Sequence, residues 1–422
     1  MTESTSVRVT FVTQWFPPEP GNVPIWIASA LRRRGFALDV LTAVPNYPAG
    51  KTYPGYRTYR QVRESVDDFD VNRVPVYPSH GSSAVGRIVN LCTYAISSAA
   101  LGRAQLAAAD VALVYSSPAT AALAAMRAKK RRGTPYVIHV LDMWPDSIFA
   151  SGFLTQPVLR RAAEWLLHRF VNKAYARADA VAVTSPGMRE LLRQRGVPAE
   201  KISVVFNWAD EATMTLAPAD HSLRVELGLQ DSFVLMYAGN HGAAQRLDIA
   251  IQAMSRIRDL PKVHLVMVGD GAERDTLQKL VAELGLPTVH FVDPVEARRI
   301  PGLMAGADMQ LVALADQPLF DITIPSKIQS IMACGQPILF SGSGDAATIV
   351  RESGAGLTCE PGDPAALAET IRTAYRIPQD DRNRMGDRGH RYYHEHLSEA
   401  RNAQTLADLL VSAARNRQRT ER

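Results

Sequence analysis

Phe233-Val234-Leu235-Met236-Tyr237-Ala238 runs into Gly239-Asn240, and Val263-His264-Leu265-Val266-Met267-Val268 runs into Gly269-Asp270-Gly271. Short apolar runs closed by glycine and followed by segments of helical period read as buried parallel strands feeding helices. Further on, Pro325-Ser326-Lys327 opens another helical stretch, Ile324–Ala333. Sheets of this kind bind ligands at the carboxyl ends of their strands. Glycine lets backbone approach a phosphate, and a helix N-terminus offers free N–H groups with a favourable dipole. A nucleotide diphosphate is the first ligand this pattern suggests.

Working outward, the same grammar fills both halves of the chain. Expected strands are Val7–Thr13, Ala37–Ala43, Val111–Tyr115, Tyr136–Leu141, Ala180–Thr184 and Ile202–Phe206. The second half adds Val234–Ala238, His264–Val268, Val289–Val292, Met309–Leu314, Pro337–Phe340 and Gly356–Cys359. Helical segments intervene, such as Ile25–Arg34 before Gly35 and Ala119–Arg132 before Gly133, each with the glycine stop common at helix ends. The fold class is therefore α/β, with a doubly wound parallel sheet in each half. A chain of 422 residues exceeds one core, so two domains of about 200 residues follow. Asn207 to Gln230 reads as the connection, and a cleft between the halves is expected. The boundaries are 1–207, 208–390 and 391–422, the last a helical stretch crossing back to the first domain.

Composition narrows the class without choosing a ligand. Lys and Arg number 47 against 42 Asp and Glu, a net +5 that favours phosphates or anionic lipid only mildly. Basic residues are scattered with no stacking platform among them, which speaks against nucleic acid. Cys92, Cys334 and Cys359 lack metal-ligand spacing and read as idle thiols of a reducing compartment. Met1 to Val7 has an acid and no basic n-region, unlike a signal peptide. No apolar run reaches the length of a spanning helix. A cytoplasmic protein is expected, peripheral on the inner face of the cell membrane if the basic, aromatic segment Arg160–Lys173 lies in a lipid interface. Packing of that segment on the sheet is the alternative. The weakly polar stretch Ile88–Ala108 is open to the same two readings.

Eight motifs occur in order: Phe16-Pro17-Pro18-Glu19-Pro20-Gly21-Asn22, Pro45-Asn46-Tyr47-Pro48-Ala49-Gly50-Lys51, Tyr53-Pro54-Gly55-Tyr56-Arg57, Asp142-Met143-Trp144-Pro145-Asp146-Ser147, Tyr237-Ala238-Gly239-Asn240, Val268-Gly269-Asp270-Gly271, Pro325-Ser326-Lys327 and Met332-Ala333-Cys334-Gly335-Gln336-Pro337. Together they resemble the retaining glycosyltransferases of family four, GT-B fold, over nearly the whole chain. The resemblance is to the branch that builds bacterial surface polysaccharides on lipid-linked sugars. It implies two Rossmann-like domains facing across a cleft, a UDP-sugar co-substrate held by the second domain, no metal or other cofactor in the transfer step, and a glycan, polyprenyl-linked or small-molecule acceptor. Hexose or N-acetylhexosamine-type transfer is the implied reaction. A non-catalytic nucleotide-sugar-binding subunit and a UDP-sugar epimerase are the alternatives on the same fold.

Site residues follow from the motifs. A departing diphosphate needs cations or helix N-termini, and Lys327, with Ser326 beside it, and Arg246 are the candidate cations and their setting. Gly239, Asn240 and Gly269 form the loops, and backbone near Val292 is expected to read the uracil. The family's Gly-Arg and Lys-Gly cations are replaced by Asn240 and Gln245. Its two glutamates align with Ile322 and Ser330, leaving Asp321 to substitute for the first. In the first domain, Gly21 and Asn22 precede a helix and can turn N–H groups to the donor phosphates, or simply form a proline loop. Asp142 is the candidate for orienting or activating the acceptor. His139 is the second catalytic candidate, although strand alternation puts it on the face of Leu141, and a core histidine is the competing reading. Front-face attack, with the leaving phosphate helping to remove the acceptor proton, requires no strong protein base. The Pro45 to Arg57 loop is expected on the acceptor side, either as an aromatic platform or as a rigid proline loop.

Overall fold

The computed structural model describes residues 6–79, 84–147 and 157–420. The chain falls into two compact units: residues up to Val205 together with those from Ala403, and Phe206–Asn402.

The first unit holds an eight-stranded sheet. Its strands are β1 (Arg8–Val12), β2 (Ala37–Ala43), β3 (Val62–Val66), β4 (Phe69–Val74), β5 (Val111–Tyr115), β6 (Tyr136–Val140), β7 (Ala180–Val183) and β8 (Ile202–Val204), in the order β3-β4-β2-β1-β5-β6-β7-β8. The chain winds outward from β1 in one direction and returns to start β5 on its other side. That reversal creates a switch point between the carboxyl ends of β1 and β5, where such sheets bind ligands.

The second unit holds β9 (Phe233–Ala238), β10 (Val263–Val268), β11 (Val289–Val292), β12 (Met309–Ala313), β13 (Ile338–Ser341) and β14 (Gly356–Cys359), all parallel, in the order β11-β10-β9-β12-β13-β14. Its switch point lies between β9 and β12. Val234 and Met236 enter one core with Val266, Phe340, Ile328 and Met332. Leu235 and Tyr237 enter the other with Leu265, Met267, Ile251 and Met254. Alternate residues of one strand thus serve opposite layers, which is why the strand reads as an unbroken apolar run.

The expected strands are present within a residue or two, and the structure adds what the sequence reading lacked. An antiparallel hairpin, β3 with β4, extends the first sheet through a turn at Asp67 and Asp68, both at positive φ. The stretch 88–108 forms two helices, Ala84–Leu101 and Arg103–Ala108. They part at Gly102, where a Cβ would stand 2.3 Å from Leu41 Cδ2 and 2.7 Å from the Ser98 carbonyl. The final helix begins at Glu399, and the passage into the first unit lies at Ala403, later than 391. Fully buried Tyr393 holds the preceding turn in the second unit, donating to Glu211 (2.8 Å) and accepting from the Ala209 amide (3.1 Å). Arg417 donates to the Ala109 carbonyl within the first unit.

Candidate active site

The carboxyl edge of the second sheet is built around two glycines. Gly239 and Gly269 each adopt φ +137, closed to ordinary side chains. A Cβ on Gly269 would stand 2.1 Å from the Gly239 carbonyl, and one on Gly239 would stand 2.6 Å from Lys327 Cε. The Gly269 amide also donates to the Val292 carbonyl at 3.0 Å. Gly239, Gly269, Val292 and Lys327 are thereby brought together, with the Val292 carbonyl already engaged.

Lys327 lies in the first turn of the helix Ser326–Ala333, whose N-cap, Pro325, supplies no side-chain cap and whose first turn carries no acid. Free N–H groups and the positive dipole end therefore coincide with an ammonium group. Nζ donates to Tyr237 Oη and sits 3.7 Å from the centre of that ring. No carboxylate pairs with it among the described residues, and burial lowers its pKa to about 7. A half-buried lysine whose partners are a phenol and a π face lacks the counter-charge that an ammonium group withdrawn from water requires.

His241 is the residue that sequence reasoning passed over. It is fully buried, and neither ring nitrogen has a hydrogen-bond partner. Its ring packs 5.8 Å from Tyr237 and 6.1 Å from Phe291. Burial, with Arg274 and Lys327 nearby, lowers its pKa and keeps it neutral. Its backbone is tied to the neighbouring loop, accepting from the Glu273 amide (2.9 Å) and donating to the Asp270 carbonyl (2.8 Å). The available signal was its position two residues after a strand-ending glycine.

The other expected residues are placed differently. Asn240 is exposed and uses its carbonyl to accept from Tyr237 Oη at 2.6 Å. Arg246, expected as the second phosphate cation, takes a left-handed conformation and donates from Nε and Nη2 to Asp248 at 2.9 Å. The pair sits at the start of the helix Leu247–Ser255, which has no side-chain cap, and leaves Arg246 half exposed. Asp321 is engaged by the Ser343 hydroxyl. Ser326 is exposed at the helix start, and Ser330 is half-buried one turn further on.

In the first unit, the loop after β1 and the loop after β2 are joined by a residue that had only been quoted within a motif. Glu19 is 4% exposed and accepts from the amides of Asn46 (2.7 Å), Tyr47 (2.8 Å) and Phe16 (3.3 Å). Arg73, with no exposed surface, donates to Glu64 and to the Pro17 carbonyl and lies over the Tyr56 ring. A third tie is made of amides: Gln14 Nε2 donates to Asn90 Oδ1 (2.6 Å), and Asn90 Nδ2 donates to Asn46 Oδ1 (3.1 Å). Tyr47 is thus fixed beside Trp15, ring centres 5.2 Å apart. Gly21 and Asn22 are exposed ahead of the helix Val23–Arg33, which has no side-chain cap and no acid in its first turn.

Asp142 follows β6, exposed, and accepts from Ser117 Oγ at 2.7 Å. Its loop is anchored by buried Met143 and Trp144 and by Asp146, which accepts both its bonds from Arg195 Nη2 at 2.9 Å. His139 lies within β6. Its ring has no exposed surface and no hydrogen-bond partner, and burial lowers its pKa to about 4. It packs as a core residue of β6, in keeping with the competing reading of the sequence. Among the described residues no group of three or more His, Cys, Asp or Glu side chains is arranged to hold a metal ion, and no helix is long and apolar enough to cross a membrane.

Comparison with known proteins places both units. The "Glycosyl transferase 4-like domain" family matches residues 22–208, and the "Glycosyl transferases group 1" family matches residues 221–392. The chain is similar to the colanic acid biosynthesis glycosyl transferase WcaI of Escherichia coli K12, 27% identical over 368 residues, covering 85% of this chain and 88% of that protein. It is also similar to the N-acetyl-alpha-D-glucosaminyl L-malate synthase of Bacillus anthracis, 24% identical over 234 residues, 54% of this chain and 58% of that one. In fold it resembles Anabaena HepE, solved in complex with UDP-glucose, with a TM-score of 0.67, 20% identity, and 96% and 99% of the two chains covered.

Proposed function

The chain belongs to the family-four glycosyltransferases of the GT-B fold, and from that premise we propose that it moves a hexose or N-acetylhexosamine-type sugar from UDP to a glycan, lipid-linked or small-molecule acceptor, with retention and without a metal in the transfer step. The observation that carries the donor reading is Lys327, half-buried at an uncapped helix start with no carboxylate partner among the described residues and with a glycine against its stem. A nucleoside diphosphate supplies the missing charge. HepE, similar in fold, has been solved with UDP-glucose bound, which supports uridine as the base.

In the proposed reaction the bond from the sugar's anomeric carbon to the diphosphate oxygen breaks. Lys327 and the first-turn N–H groups meet the charge that develops there. The acceptor oxygen attacks from the same face, and its proton passes to the departing phosphate oxygen. Asp142, exposed and held by Ser117, orients the acceptor hydroxyl. Trp15 and Tyr47 offer a ring pair for the acceptor sugar. Work on the inner face of the membrane belongs to the same reading. Exposed Trp165 and Leu166 on the helix Pro157–Arg177 support it, with Arg169 over the Trp165 ring. Side chains 157–160 and 162 lie outside the described residues.

Calorimetric titration of the metal-free protein with UDP, GDP, dTDP and their common sugar adducts tests the proposal. Selective binding of UDP compounds, followed by UDP release only when an acceptor is added, is the expected result. No binding refutes the donor reading. The closing of Arg246 on Asp248 favours a second reading, a non-catalytic nucleotide-sugar-binding subunit, which would bind UDP-sugar and release nothing with any acceptor.

A further inference from the structure

The helix Ala84–Leu101 exposes the wrong residues for a helix facing water. Val85 (72% exposed), Ile88, Val89 and Ile96 (59%) are exposed, with Cys92 exposed between them. Their spacing follows one helical face, and no charged residue occurs from Ile88 to Gly102. Tyr77 continues the patch; it is 52% exposed and is pinned to the helix by its amide, which donates to Thr93 Oγ1 at 3.0 Å. Apolar faces of this length seldom stay uncovered.

The flank of the stripe indicates what covers it. The helix packs along the helix Ala122–Arg132, and a cavity of about 330 Å³ opens where the two meet, lined by Arg103, Ala104, Arg127, Ala128, Arg131 and Arg132 among others. Arg127, Lys130, Arg131 and Arg132 are exposed and have no ion-pair partner among the described residues. From Val71 to Leu141 the chain carries eight Lys and Arg against one acid, Asp110; Arg73 pairs with Glu64 and Lys129 with Asp179, so the exposed cluster is Arg127, Lys130, Arg131 and Arg132. A cluster of like charges with no carboxylate repels itself, and an anion must be what it faces. Beside an apolar stripe, the matching partner is a surface that presents anionic headgroups above hydrocarbon.

We propose that the helix Ala84–Leu101 docks the first unit onto an anionic lipid bilayer, its apolar face in the interface and the guanidinium cluster of 103–132 on the headgroups. This rests on the membrane association in the proposed function and assigns it a surface, to which exposed Trp165 and Leu166, on a helix that also packs on Ala122–Arg132, are not essential. Arginine suits the role because its fork holds phosphate bidentately.

The test is co-sedimentation of the full chain with vesicles of phosphatidylcholine alone and of phosphatidylcholine with about 30 mol% phosphatidylglycerol. Wild type is expected to bind only the anionic vesicles, and less as salt rises. Ile88→Asp with Ile96→Asp, and separately Arg127→Glu with Arg131→Glu, should each lower the partition coefficient roughly tenfold or more. UDP affinity measured on the same samples shows that the variants are folded, and it reports on the donor site independently of the lipid result. Equal binding of wild type and both variants, or binding to neutral vesicles alone, overturns the proposal. So does a dimer in light scattering that the Ile88→Asp, Ile96→Asp variant dissolves, since the stripe would then be covered by a second copy.

Discussion

Raising the pH from 7 to 9 should loosen the grip on the diphosphate, because the cation that holds it is half-titrated at the start of that interval. Burial sets the Lys327 pKa at about 7 in the empty site. A bound diphosphate restores the missing opposite charge and raises it again. Each pH unit above 7 then costs about 1.4 kcal/mol to protonate the lysine before it can engage, so the Kd for a UDP-sugar rises about fifty-fold between pH 7 and 9. The phosphates of a diphosphate diester do not titrate in this window, and the uracil N3–H, which begins to ionise at its upper edge, is common to wild type and Lys327→Met, so the part of the slope that the variant removes belongs to the protein. Calorimetry in buffers of different ionisation enthalpy should show uptake approaching one proton per UDP-sugar at pH 9. Lys327→Met keeps much of the stem's packing and removes both the slope and the uptake. It weakens binding at pH 7 by roughly tenfold to a hundredfold, the worth of a charge-assisted contact. The sign for the unliganded fold is also defined. The unfolded lysine, with its ordinary value of 10.5, binds more protons than the folded one between pH 7 and that value, so stability rises with pH there in wild type relative to Lys327→Met. A flat wild-type affinity from pH 7 to 9, or proton uptake that survives in the Met variant, refutes the assignment.

Gly269→Ala should lower stability by about 3 kcal/mol or more, because its Cβ meets the Gly239 carbonyl at 2.1 Å and φ +137 suits no side chain; a urea melt reads this. Asp142→Asn should cut transfer about a hundredfold while leaving UDP affinity at the wild-type value, as turnover and calorimetry on one preparation will show. Glu19→Ala strands the Asn46 and Tyr47 amides and should cost about 2 to 3 kcal/mol in thermal unfolding, with proteolysis appearing first in the 45–57 loop.

The parallel strands were legible because burial on both faces writes itself as continuous apolar runs, and the glycine ends because close backbone approach admits nothing else. The hairpin β3–β4 was not. Val62–Val66 and Phe69–Val74 carry Arg63, Glu64, Asp70, Asn72 and Arg73, and β4 buries the last two. Polarity there marks residues satisfied by one another, which a hydropathy pattern scores as loop. Its turn uses Asp67-Asp68, a weaker hairpin signal than a pair containing glycine. At the candidate site, Lys327 was found through its place at a helix start. His241 was missed because its importance lies in having no partner, a property of three-dimensional surroundings. The pairing of Arg246 with Asp248, two residues on, was hidden for the related reason that it depends on the backbone conformation between them.

The carboxamide chain from Gln14 through Asn90 to Asn46 has a practical consequence for handling the protein. None of its members titrates and none carries charge, so neither buffer nor ionic strength has a handle on it. The cations beside the outer stripe, by contrast, respond to salt directly. Asn90 therefore divides the helix Ala84–Leu101 into an inner side that fixes the Asn46 loop under all ordinary conditions and an outer side that is free to be rewritten. Replacing Ile88, Val89 and Ile96 with polar residues should yield a form that stays dispersed without detergent while its Asn46 loop keeps its native shape, which makes it the reagent of choice for screening water-soluble acceptors.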